Sequence, residues 1–303
     1  MSMKLLIDAD GCLSAEGVAI TPICKGWSQN KKYRIETAQG ERFLLRVAEK
    51  AQRRQMKADF AGLNPVAKLG EAAQQPVAFG RSGKWVYSVL TWVDGEDLTS
   101  VLPTLAQDEQ YAVGLQAGAL LKQIHAVVPV KRPKDYVAMF RQNISKSIER
   151  YVPIGMSPED SRIIIDYLIA NKRALGSRPR TFLHGDYNTG NLILMPDGTL
   201  GAIDFLAYFG DPWQELCAIS VGEEATPHYQ TGLVNSYFDG KPPAEFFEAM
   251  AYQSTFDALT RVSPDDSPEV FEIGCKHIKN IFRWFDRFQN TIPTWYLQDW
   301  STT

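Results

Sequence analysis

From Thr181 to Trp213 the chain reads TFLHGDYNTGNLILMPDGTLGAIDFLAYFGDPW, and this stretch decides the fold. His184-Gly185-Asp186 is followed by Asn191, an apolar run, the turn Pro196-Asp197-Gly198, a second apolar run and Asp204. Leu192 to Met195 and Thr199 to Ile203 flank the turn, so the spacing predicts a hairpin that brings Asn191 and Asp204 to one end. Phosphoryl transfer needs such an order, because its catalysis is mostly positioning and neutralisation of charge on phosphate oxygens. One carboxylate has to sit beside the acceptor hydroxyl, and Asp186 is the candidate for that place. Asn191 and Asp204 are the candidates for magnesium, a hard cation that takes one or two oxygens from protein and completes its shell with phosphate and water.

The HGD-x4-N segment, Ile203-Asp204-Phe205 and Gly210-Asp211-Pro212 together resemble the aminoglycoside phosphotransferases and their small-molecule kinase relatives. The resemblance implies an α+β, protein-kinase-like bilobal fold. Its N-terminal antiparallel sheet lobe would span residues 1–93 and bind the nucleotide. A mainly helical lobe over residues 94–303 would carry catalysis and the acceptor, with the hinge at about residues 90–97. Asp186 then matches the catalytic aspartate, Asn191 and Asp204 the magnesium ligands, and Asp211 a residue that holds the metal loop by hydrogen bonds. The cofactors implied are ATP, with GTP as an alternative, and Mg²⁺.

Further roles follow from the same resemblance. In the period-two strand Arg42-Phe43-Leu44-Leu45-Arg46-Val47, Phe43, Leu45 and Val47 face one side, and Leu44 and Arg46 the other. Arg46 would hold the phosphates, where many relatives have lysine, and Leu44 would roof the adenine; arginine keeps the charge and adds a planar fork. Ser28, in the turn Gly26 to Asn30, would help position the nucleotide through backbone N–H groups. A helical acid should pair with Arg46: Asp59 is the best match, with Glu49 or Glu71 as substitutes, or with the pair forming only when nucleotide binds. Leu90 corresponds to the gatekeeper, and the backbone of Thr91 and Val93 would bond the adenine edge. Glu223, Glu224, Asp257, Asp265 and Asp266 are candidates for binding the amino groups of an acceptor.

Composition fits this picture. A chain of 303 residues with 45% apolar content can bury a sizeable core and is expected to form two lobes. The net charge of −3 hides an asymmetry: residues 1–100 carry 14 Lys/Arg against 11 Asp/Glu, and residues 223–303 carry 6 against 12. A basic front suits a polyanionic nucleotide and an acidic tail a cationic acceptor. No concentrated basic face points to nucleic acid. Cys12, Cys24, Cys217 and Cys275 lack paired spacing and are expected as unpaired thiols of a reducing cytosol. With no basic-then-apolar start and no membrane-length apolar run, the expectation is a soluble, cytoplasmic protein. Leu5 to Gly11 ends in Asp-x-Asp-Gly, a pattern that can mark a phosphohydrolase, but Asp265-Asp266 lies in a Pro/Ser-rich loop and not in the matching context. An N-terminal extension leading into a sheet is the expectation there.

The strands expected are Val18 to Cys24, Lys32 to Thr37, Arg42 to Val47 and Trp85 to Val93. Helices are expected from Lys50 to Leu63, broken by Gly62 and Asn64-Pro65, around Val113 to Val128, from Tyr136 to Tyr151, after Ser157-Pro158, and over about residues 227–238, 243–262 and 268–287. His125 closes the second of these and reads as structural. Most of the late aromatics recur at helical spacing and read as core.

Overall fold

The computed structural model describes residues 6–7, 13–14, 18–24, 30–128, 156–176, 178–218, 226–260, 267–298 and 300. The chain divides into two compact units, one made of residues 1–97 and 191–208, the other of residues 98–190 and 209–303. The architecture is α+β.

The first unit is built on five antiparallel strands: β1 (Val18–Ile23), β2 (Lys31–Thr37), β3 (Arg42–Glu49), β4 (Pro76–Ser82) and β5 (Trp85–Thr91), in the order β1-β2-β3-β5-β4. One face packs Ile35, Leu45, Val47, Trp85 and Val89, with Tyr33, Phe43 and Tyr87 against them. That is the alternation read from the sequence: Phe43, Leu45 and Val47 lie together, and Leu44 and Arg46 lie on the opposite face. Register places Lys32 opposite Arg46 and Leu44 opposite Leu90, so these four share that second face.

Sequence patterning did not anticipate β4, which opens on proline and contains Gly80. Both weaken a strand signal, yet both are tolerated here. Proline fits the first residue of an edge strand, and Gly80 lies directly under the Tyr87 ring, where a side chain would collide with the phenol. After β3 comes α1 (Arg53–Gly62), which ends where Gly62 and Asn64-Pro65 were expected to break it.

Later in the chain, β6 (Glu96–Asp97), β7 (Leu192–Leu194) and β8 (Leu200–Ala202) form a small sheet of order β8-β7-β6. The turn between β7 and β8 closes as the sequence predicts. Asp197 Oδ1 accepts from the Thr199 amide at 3.0 Å and its hydroxyl at 2.7 Å, and Gly198 takes a left-handed φ of 82°. These bonds hold the Asp197 carboxyl below its usual range.

The second unit is mainly helical: α2 (Gln107–Ala126), α3 (Pro158–Ala170), α4 (Pro212–Ala218), α5 (Pro227–Tyr237), α6 (Ala244–Thr260) and α7 (Pro268–Trp284). Helix α3 starts as read, with the Ser157 hydroxyl accepting from the Asp160 amide at 3.1 Å and Pro158 in the first turn. Helices α2 and α5 pack closely because Gly114, Gly118 and Gly232 lie at their contact. A methyl group at Gly114 or Gly118 would overlap the carbonyl of Tyr229 or Leu233. Phe246, Phe247, Tyr252, Phe256, Phe282, Trp284 and Phe285 are buried, the core role their spacing implied. The expected helix over Tyr136 to Tyr151 lies outside the described residues. No described helix is long and apolar enough to cross a membrane.

Candidate functional site

In the first unit, the segment from Asn191 to Asp204 carries two side chains with oxygen donors. The β7–β8 pairing continues one step beyond the strands, because the Ile203 amide donates to the Asn191 carbonyl at 2.9 Å. That bond fastens Asn191 beside the residue preceding Asp204, so both candidates leave the same end of one hairpin. Asp204 adopts a left-handed φ of 60°, uncommon for a residue with a side chain and typical of functional turns. Its amide faces Gln74 Oε1 at 3.4 Å. The same Gln74 donates from its side chain to the Thr91 carbonyl at 3.1 Å and from its amide to the Ala202 carbonyl at 2.9 Å, so one buried amide residue ties β5 to the Asp204 turn.

The partner of Arg46 differs from the one expected. Arg46 Nη2 donates to Asp204 Oδ1, whereas Asp59 is exposed on α1 and accepts from Gln55 one turn earlier at 2.6 Å. A short side chain on a helix that ends at Gly62 serves its own helix, and Asp204 brings a carboxylate directly to the guanidinium. Lys32 adds a second cation, with Nζ 3.6 Å from Asp204 Oδ2. Two positive charges therefore face one carboxylate.

Leu44 and Leu90 are buried directly across from each other, an apolar surface next to Arg46 on the same face. The backbone of Thr91 is already engaged. Its amide donates to the Gln75 carbonyl at 2.9 Å, and its carbonyl accepts from Gln74. Trp92 likewise donates to the Arg42 carbonyl at 3.3 Å. The Thr91 carbonyl keeps a second lone pair, and Val93 lies just beyond the end of the strand. Ser28 lies outside the described residues.

In the second unit, the short strand Thr181–Leu183 leads into the turn that carries Asp186. Gly185 has a φ of 93°, the left-handed backbone that favours glycine between His184 and Asp186. Glu215 on α4 fixes this turn. Its carboxylate accepts from the His184 amide at 3.0 Å and from the Gly185 amide, and it contacts His125 Nε2 at 2.9 Å. His125 meets the Tyr237 hydroxyl at 2.8 Å through Nδ1. All of His184, Glu215 and His125 are buried. The His184 ring then accepts from the Asp186 amide at 3.2 Å, while the exposed Asp186 carboxylate accepts from Asn188 at 2.9 Å.

Burial is the main force that pushes the Tyr237 phenol well above its usual range, with Glu215 adding to it, and the same holds for Tyr187, whose hydroxyl donates to the Ala117 carbonyl at 2.7 Å. Both therefore stay neutral donors. The burial of His125 between Tyr237 and Glu215 fits the structural reading of its sequence position, whereas Glu215, on a short helix, carried no signal of its own.

Asp211 engages protein groups: Arg178 binds both its oxygens, at 3.0 and 2.6 Å, and the Trp213 amide donates to it at 2.9 Å. The guanidinium also lies 3.8 Å above the Trp213 ring. Among the acceptor candidates, Asp257 accepts from Gln253 on its own helix at 2.8 Å, and Glu223, Glu224, Asp265 and Asp266 lie outside the described residues. Among the described residues no three of His, Cys, Asp and Glu cluster as a metal cage.

A family model described as the phosphotransferase enzyme family matches residues 19–247, most of the chain and both units. The chain belongs to that family. It is a phosphotransferase of that family whose acceptor is set by neither the match nor the fold. Solved structures agree on architecture. A GDP complex of an aminoglycoside 2'-phosphotransferase of type IIIa is 15% identical, covers 90% of this chain and 93% of its own, and has a TM-score of 0.64. A choline/ethanolamine kinase family protein from Mesorhizobium loti is 16% identical, with 90% and 91% covered and a TM-score of 0.60. An amicoumacin kinase in complex with AMP-PNP, Ca²⁺ and its antibiotic is 12% identical, with 92% and 90% covered and a TM-score of 0.56. At such identities the likeness shows the fold. A search of curated proteins finds no match.

Proposed function

We propose that this phosphotransferase moves the γ-phosphate of ATP or GTP to a hydroxyl of a small, cationic molecule, with an aminoglycoside-like compound as the leading acceptor. The observation that carries the reading is the pairing of Arg46 with Asp204, which are 158 residues apart in the chain. One is a cation suited to phosphate, the other a carboxylate suited to magnesium, and Asn191 leaves the same hairpin end as Asp204. Two hard oxygens of this kind fit Mg²⁺, which draws the rest of its shell from phosphate and water. When bound there, it would neutralise charge on the β- and γ-phosphate oxygens.

The chain's own residues then have separate tasks. Leu44 and Leu90 cover the base, the backbone of Thr91 and Val93 offers groups to its edge, and Arg46 neutralises the phosphates. Asp186 orients the acceptor hydroxyl and takes its proton as the new O–P bond forms and the bond from the γ-phosphorus to the bridging oxygen breaks, releasing ADP or GDP. A cationic acceptor is supported by the acidic final stretch, 12 acids against 6 bases over residues 223–303.

The test is ADP and GDP release with magnesium across aminoglycosides, macrolides, choline and other amino alcohols. Acceptor-dependent release with an aminoglycoside bears the proposal out. Release only with choline or amino alcohols keeps the reaction and replaces the acceptor, and tight nucleotide binding without turnover on any compound refutes the assignment.

A further inference from the structure

We propose that Lys32 is a second phosphate-binding cation of the nucleotide site, acting beside Arg46. The inference rests on the nucleotide reading above and adds a residue that neither the family match nor the sequence motifs single out.

Lys32 occupies β2 directly opposite Arg46 on β3, so the two side chains rise from one face of the sheet. Its side chain is only 11% exposed. Lysine is rarely buried to that degree without a strong counter-charge, because its ammonium loses water that something must replace. Asp204 supplies only part of that replacement. The 3.6 Å separation from Oδ2 exceeds hydrogen-bond length, and the other oxygen already belongs to Arg46. Arg46 is incompletely satisfied as well, since its Nε is buried without a hydrogen-bond partner among the described residues.

The group formed by Lys32, Arg46 and Asp204 thus holds one positive charge in excess, together with unused donors. An apolar ligand would leave that charge stranded, and a carboxylic acid would answer one cation only. A chain of phosphates answers both, because it carries several acceptor oxygens and more than one negative charge. The neighbouring Lys31 serves as a contrast. It alternates to the other side of the strand, is exposed, and lies 5.4 Å from the Trp85 ring centre.

Adenosine, AMP, ADP and ATP, each with and without magnesium, form the test, measured by calorimetry on wild type, Lys32→Met, Lys32→Gln, Lys32→Arg and Lys31→Met. One charge-assisted contact of this kind corresponds to about 10- to 100-fold in affinity. Both neutral variants are expected to lose about that much for ATP, less for ADP and under about twofold for adenosine. Lys32→Arg should recover most of the loss, and Lys31→Met should match wild type within about twofold. Unchanged ATP affinity in either folded neutral variant overturns the proposal. So does an equal loss for adenosine and ATP, which marks Lys32 as a support for Asp204 alone. Wild type that binds none of the three nucleotides, nor their guanine counterparts, refutes the nucleotide reading itself, a result visible before any variant is compared.

Discussion

Glu215→Ala is the most informative single change outside the reacting groups. The Glu215 carboxylate takes the amides of His184 and Gly185 and the Nε2 of His125, all in a buried setting. Truncation strands these three donors. Each buried donor without a partner costs about 1–3 kcal/mol, and water entering the vacated space keeps the cost near the lower end. The sum is about 3–5 kcal/mol, which lowers the melting temperature by on the order of 10 °C for a chain of this size.

Activity should fall for a separate reason. Asp186 follows Gly185 directly, so loss of the two amide anchors frees the peptide that aims its carboxylate. Misplacement on the 1 Å scale costs about 100-fold in rate. The expectation is a kcat reduced by about 10- to 100-fold, with the nucleotide KM changed by less than about threefold. Glu215→Gln keeps one acceptor and turns an amide N–H₂ toward a donor, so it should fall between wild type and alanine. A cycle with His125→Ala should show coupling of about 0.5–3 kcal/mol. Steady-state kinetics well below the melting point of each variant, with melts by circular dichroism, make the test. A kcat within about twofold of wild type in a folded Glu215→Ala protein would refute the claim that this carboxylate positions the catalytic turn.

Three further outcomes are expected. Asp186→Asn should lower kcat by about 10²- to 10⁴-fold while calorimetric nucleotide affinity stays near wild type, and near-normal turnover would remove Asp186 from the mechanism. Gly118→Ala places a methyl group against the Leu233 carbonyl, so α2 and α5 must separate; the expected cost of about 1–3 kcal/mol should appear in urea titration, and an unchanged midpoint would contradict the close crossing. Tyr167, Tyr187 and Tyr237 have folded pKa values raised above 10.0, chiefly by burial, so above pH 10 the folded chain holds protons that the unfolded chain has released. Their contribution is complete below that pH and is lost above it, by about 1.4 kcal/mol per pH unit for each; absorbance at 295 nm should show these three ionising only as the protein unfolds.

The parts legible in the sequence are those where chemistry or backbone geometry imposes a local spacing. The Pro196-Asp197-Gly198 turn could be read because aspartate and glycine do different, local jobs in it, and the pairing of Asn191 with Ile203 follows once the turn is fixed. The alternation of β3 was equally plain, since Phe43, Leu45 and Val47 had to share a face. Features set by distant partners were hidden. Arg46 finds Asp204 from 158 positions away, and matching by helix alignment pointed instead to Asp59. Lys32 is one of two adjacent lysines at a strand start, where a solvated surface is the ordinary reading; only register shows that it alone stands opposite Arg46. Gln74 and Glu215 have no motif of their own. Their importance comes from the backbone groups that reach them, and those groups have no signature in side-chain order. The strand β4 was missed because its proline and glycine obey rules of edge position and close approach that can be applied only once the neighbouring strand is known.

The same distinction explains why the reaction could be read further than the acceptor. A triphosphate and its metal ask for a fixed set of charges, so a small number of residue types in a fixed order suffices to suggest them. An acceptor asks for a hydroxyl at one point, and its remaining shape can be met by any suitable wall. Asp257 illustrates the difference. Its carboxylate suits an amine by type, yet it already accepts from Gln253 within α6, and nothing in its sequence neighbourhood distinguished a helix-internal partner from a ligand. The acidic composition over residues 223–303 assigns an acceptor contact to no single side chain. Acceptor identity therefore has to be measured on compounds, whereas the nucleotide chemistry can be tested one residue at a time, starting from Lys32, Arg46 and Asp204.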